Sequence, residues 1–190
     1  MTSVQTLSET DRRAIARWAL ACAERVLPLF EADAAAEEAI RDAVDRTRAY
    51  SAGAGSSAEE IRKRLIAGRA ANAASTPAGT AAARSVAQAA AVAHMGAHAL
   101  GAAAYAVKAV SLTDAATPER VQEEIDWQLA EMTDAERAAL RLLPQLGSDA
   151  SGPLGEGLFA RGILGDTIRQ LQDRMAGTGR PVASIEGEPR

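Results

Sequence analysis

Two histidines and a tyrosine are the residues of this chain best placed by spacing to do chemistry. His94 and His98 are the only histidines in the 190 residues. Four positions apart, they share a face if the segment is helical, and two imidazoles on one helix face can begin a metal site. Tyr105 follows His98 by seven residues and falls on that same face. The rest of a metal pattern is missing. A zinc-protease helix carries Glu directly after the first histidine, where this chain has Met95. A di-iron bundle carries Glu three residues before a histidine, where it has Ala91. Any metal would need carboxylates from other helices, and the spacing identifies none. We therefore expect no metal and no cofactor. His94, His98 and Tyr105 read as a polar strip that either binds a ligand or satisfies buried carbonyls.

Other reactive types lack their context. The acidic pairs Glu37/Glu38, Glu59/Glu60 and Glu123/Glu124 fall near helix starts, where carboxylates complement the helix dipole. No serine sits in a nucleophile elbow and no glycine loop could cradle phosphate. Cys22 is the single cysteine, so no disulfide forms within the chain. Its place on an apolar stripe makes it a small core residue. Trp18 lies on that stripe too, whereas Trp127 sits off its helix's main stripe and is a candidate interface anchor. No catalytic set assembles, and we expect a protein that is not an enzyme.

The elements that must position these residues are all helical. Hydrophobic residues make up 47% of the chain and aromatics only 3%, and 46 residues are alanine. Alanine is the strongest helix former but buries little area, so such a core depends on close backbone approach. A first helix opens near Ser8, with Ile15, Trp18, Ala19, Cys22, Val26, Leu29 and Phe30 at helical spacing, and Pro28 should kink or restart it. A second spans about 35–51, with Ile40, Ala43, Val44, Thr47 and Tyr50 inward. After the flexible run 51–56, Ser57 and Glu60 have capping-box spacing. They open a helix to about Asn72 that turns Ile61 and Leu65 inward.

Thr76-Pro77 then reads as N-cap and first-turn proline of one long helix to about Val110. Of residues 77–110, sixteen are alanine, and the segment is apolar nearly all round, as a helix at the centre of a bundle is. Gly96 and Gly101 mark a close approach or a bend. Thr117-Pro118 starts a helix with Val121, Ile125, Leu129 and Met132 inward. Thr133 with Glu136 is a second capping box, before inward Leu140 and Leu143. Residues 147–157 form a loop, and a last helix at about 158–176 uses Leu164, Ile168, Leu171 and Met175. The expected architecture is a single all-α bundle of about six to seven helices around a buried Ala-rich central helix. It divides into a helical domain at 8–146, an extension at 147–176 and a disordered tail at 177–190.

Charge narrows the partners. The net charge of −4 argues against a nucleic-acid partner. Residues 61–113 nevertheless hold six Lys or Arg and no acid, while the segments before and after sum to −4 and −6. That pattern fits either neutralisation between packed segments or a basic face for an acidic partner. Residues 85–107 are uncharged, but Gln88, His94 and His98 offset their few favourable insertion terms, so we expect no membrane span. The N-terminal MTSVQTLSETDRR has no apolar core of a signal peptide.

Three segments carry a family resemblance: WALACAERVLPLFE at 18–31, AVAHMGAHALGAAAYAVKAV at 91–110 and EEIDWQL at 123–129. Over about residues 12–145 the chain resembles the type-five-like immunity proteins of bacterial polymorphic toxin systems. EADAAAEEAIRDAV at 31–44 departs from the proline- and arginine-containing stretch of that pattern, and the aromatic before the glycine turn is Tyr50. The resemblance implies an all-α fold, a cytoplasmic location and a cognate toxin as partner, with no catalytic residue to carry over. Two alternatives stand beside it. One is a small-molecule- or metal-binding protein using His94, His98 and Tyr105. The other is a homodimer whose Ala/Gly faces pair.

Overall fold

The computed structural model describes residues 3–149 and 151–177, and among them there is no strand. The α-helices are α1 (Glu9–Val26), α2 (Ala34–Ser51), α3 (Ser57–Lys63), α4 (Ile66–Ala70), α5 (Pro77–Ala91), α6 (His98–Ser111), α7 (Pro118–Ala130), α8 (Asp134–Leu140) and α9 (Gly162–Met175). The all-α expectation holds. The disordered-tail expectation falls, but for Gly177, outside the described residues.

Start signals work largely as their chemistry dictates. The side chains of Ser8, Asp33, Thr76, Thr117 and Thr133 each accept a backbone N–H of the following turn. Thr133 and Glu136 close a reciprocal capping box. The pairing expected of Ser57 and Glu60 does not form. Ser56 caps α3 instead, and Glu60 is buried with its carboxylate 2.6 Å from Arg46.

The long central helix is also corrected. The Ala-rich stretch folds as two helices, α5 and α6, joined by the turn 92–97. They pack side by side as an antiparallel hairpin. Ser85 Oγ donates to the Ala102 carbonyl at 2.7 Å, and nearer the turn Gln88 Oε1 lies 2.6 Å from His98 Nδ1. Alanine favours helix throughout, so local propensity does not place the break. A strap at the N-terminus supplies what the turn lacks. The Gly96 N–H donates to Thr6 O and the Ala97 N–H to Gln5 O, both at 3.1 Å. A Cβ on Gly96 would lie 2.7 Å from Leu7 Cδ1, so any other residue there would push the Leu7 side chain from its seat. Leu7 itself holds φ 61°, an unusual conformation kept by that seat and by Arg12, whose Nη1 donates to the Leu7 carbonyl at 2.9 Å.

α1 lies across both hairpin helices; α2 and α4 cover α5, α7 and α9 cover α6, and α8 packs on α1. Bulk and flatness are divided between layers. Among the largest fully buried side chains only Leu100 belongs to the hairpin, while Ile15, Trp18, Ile40, Leu140, Ile168 and Leu171 come from the wrapping helices. Alanine faces let the two backbones approach, and the surrounding helices supply the apolar area that water must leave.

The third expected helix is interrupted. α3 ends at Lys63 and α4 begins at Ile66, with Leu65 exposed at 56%. Ala67 and Ala71 form the buried stripe there, and Leu65 points away from it. The last helix starts at Gly162, after a 3-10 turn at Leu158–Ala160. Its Leu164, Ile168, Leu171 and Met175 enter the same apolar core as α1 and α6. The loop before it is tied back by the buried Gln5. The Gln5 amide donates to Asp149 Oδ2 at 2.9 Å and to the Ser151 carbonyl at 2.5 Å, and Leu154 N–H donates to its oxygen at 3.0 Å.

Candidate functional site

A cleft of about 540 Å³ runs along the outer side of the hairpin, between the two Ala-rich helices. Helical spacing builds both walls. On α5, Thr80 and Arg84 stand four residues apart and remain partly exposed. On α6, Tyr105 and Lys108 follow one stripe, which Leu112 continues just past the helix end. Thr76, the N-cap of α5, and Pro77 close one end. Among the residues lining the cleft there is no carboxylate.

Tyr105 forms part of the wall and is only 3% exposed. The Phe159 ring stands edge-on to it at 6.1 Å between centroids, and Lys108 Nζ lies 6.0 Å from its ring centre. The phenol's hydroxyl makes no hydrogen bond to the described residues, and it is not one of their buried unpaired polar atoms, so it stays open to the cleft. Gly101 leaves room for this arrangement, because a Cβ there would lie 2.6 Å from Phe159 and 2.9 Å from Gln88 Oε1.

His98 marks the far end of the strip, at the first position of α6. Burial above all, then the charges of His94 and Arg64, pull its imidazole down from 6.5 to about 4, so it is neutral near pH 7. His94 does not share its helix face. It lies in the turn before α6, is exposed, and its ring centre is 6.3 Å from that of His98. The expected i, i+4 pair is corrected accordingly, because the helix that would align the two rings breaks between them. No three His, Cys, Asp or Glu side chains among the described residues come together as a metal-binding set. Trp127 is remote from the cleft on α7. It is half-buried, with the Arg25 guanidinium 4.5 Å above its ring.

Of the expected residues, then, His98 and Tyr105 lie along the hairpin, His94 sits at its tip and Trp127 sits elsewhere. Arg84 and Lys108 were not among them. The signal that could have found them is the acid-free segment 61–113. Of its six cations only Lys63 forms an ion pair among the described residues, with Glu59 at 3.1 Å. Neutralisation between packed segments is therefore not what balances this stretch.

Cys22 is buried, and desolvation pushes its thiol well up, so it stays a protonated core side chain. No helix among the described residues is long and apolar enough to cross a membrane.

Fold and cleft together define a cross-braced all-helical scaffold that offers hydrogen-bond donors and cations along one side. Comparison with known proteins finds a family match that spans α1 to α7. Residues 5–135 match the Imm-5 like putative immunity protein family, and the chain belongs to that family. The matched length ends within α8, so α9 lies beyond it. No curated protein and no solved structure matches the chain.

Proposed function

We propose that this chain is an immunity protein that binds a cognate toxin and blocks it by occlusion, without chemistry of its own, in the cytoplasm of a bacterium. The observation that carries the reading is membership of the immunity family over most of the chain. The cations left unpaired along the hairpin support it. A protein that acts by covering another needs a preformed, rigid surface more than a reactive centre. Ion pairs from α1, Arg17 to Glu136 and Arg25 to Glu124, hold the backbone that such a surface requires.

The test is co-expression with the products of the reading frames beside the gene. We expect a complex that survives purification, and toxin inhibition that titrates to one chain per toxin. Recovery of no neighbouring product would sink the proposal. Neutralisation by far less than one equivalent would also sink it, since occlusion cannot turn over.

A further inference from the structure

We propose that the cleft between α5 and α6 receives a carboxylate side chain from an acidic, leucine-bearing segment of the protein partner. The inference rests on the toxin-binding reading and adds which surface binds and what it recognises.

Three observations converge. First, the charged groups lining the cleft are both cations, the Arg84 guanidinium and the Lys108 ammonium, and the Tyr105 hydroxyl beside them is a further donor. Second, none of the three has a hydrogen-bond or ion-pair partner among the described residues. Elsewhere the same chain does pair its arginines. Arg13, Arg17 and Arg25 on α1 all engage carboxylates. Third, the Tyr105 ring is almost wholly buried, but its hydroxyl makes no hydrogen bond to the described residues and is left free to face the cleft. An acceptor that suits a phenol together with an adjacent Arg and Lys is an anionic oxygen pair.

The occupant's other features follow from the rim. Leu112, 42% exposed, and Pro77 flank the donors and offer apolar contact beside the anion. A carboxylate on a peptide can carry an aliphatic neighbour into that contact; a phosphodiester strand cannot. A long polyanion would also be repelled by a chain whose net charge is −4.

Two arms test this. In the first, the isotope-labelled full chain is titrated by NMR with the peptide acetyl-Glu-Leu-Glu-Glu-Leu-Glu-amide, its lysine counterpart, citrate, and a 20-nucleotide single-stranded DNA. The expected result is that the acidic peptide alone shifts the amides of Thr80, Arg84, Tyr105, Lys108 and Leu112, and that R84E/K108E abolishes the shifts. Shifts located elsewhere, equal shifts with citrate, or tighter binding of the DNA would overturn the proposal. In the second, the co-purifying neighbouring gene product is bound to wild type, R84E/K108E, Y105F and the charge-matched control R41E/R120E. We expect at least a 30-fold loss for R84E/K108E, about 5-fold for Y105F, and less than 3-fold for the control. Equal binding by wild type and R84E/K108E would overturn the cleft while leaving toxin binding intact. Failure of every neighbouring product to bind wild type would overturn both.

Discussion

The arginines of α1 and the cations of the hairpin carry the same charge and live in opposite circumstances. Arg17 makes two parallel bonds to Glu136, at 2.6 and 2.7 Å, and reaches both the side chain and the carbonyl of Glu131, each at 2.9 Å. It thereby ties α1 to the junction of α7 and α8, and these carboxylates hold its guanidinium all the more firmly protonated. Arg25 donates to the buried Glu124 at 2.7 Å while covering Trp127. Arg84 and Lys108 engage no carboxylate at all among the described residues. What the difference teaches is that charge alone does not distinguish a brace from a recognition group. The presence of a partner with a carboxylate buried beneath it does, because a buried carboxylate cannot be left alone.

Several substitutions would break or sharpen that contrast. The largest effect should come from Arg17→Ala, which takes from the Glu136 side chain, 3% exposed, its only cation among the described residues and leaves it the capping-box bonds to Thr133 alone. Chemical denaturation should show a loss of about 3 kcal/mol; a change under about 1 kcal/mol would make Arg17 as idle as the hairpin cations.

Next comes acid sensitivity at the hairpin. His98 titrates near 4 in the folded chain against 6.5 unfolded. Between those values the unfolded chain binds the proton and the native chain does not. Stability should therefore be complete above pH 6.5 and fall as the pH drops toward 4, by about 2–3 kcal/mol. Denaturation across that window for wild type and His98→Gln should differ in slope, and identical slopes would remove His98 as the cause.

Gly101→Ala should cost about 1–3 kcal/mol, since its methyl group would press on Phe159 and Gln88. Circular dichroism melts would register this as a clear drop in Tm, and an unchanged Tm would mean that the Phe159 ring can move aside freely. The smallest effect should be that of Arg84→Ala with Lys108→Ala, within about 0.5 kcal/mol of wild type in the same measurement. A large loss there would place these residues among the braces and end their claim to recognition.

Parts of this were legible without coordinates. The stripe Ile15, Trp18, Cys22, Val26 and the capping pair Thr133/Glu136 appear in the structure as their spacing implies. So do the inward residues of α9. The candidate site was legible only in part. Tyr105 was found by its place in an apolar segment, but its association with His94 assumed an unbroken helix. Arg84 and Lys108, 24 positions apart, do not announce that they share a cleft.

By itself the sequence determined which segments are helical, which faces are apolar, and that one stretch has cations without acids. Those are local properties, set by propensity, capping and periodicity within a few residues. Only the tertiary structure decided that the alanine stretch doubles back, because the acceptors and the leucine that stabilise its turn come from residues 5–7, some ninety positions away. That fold-back is also what sets α5 beside α6 and gives an otherwise featureless pair of helices a cleft between them.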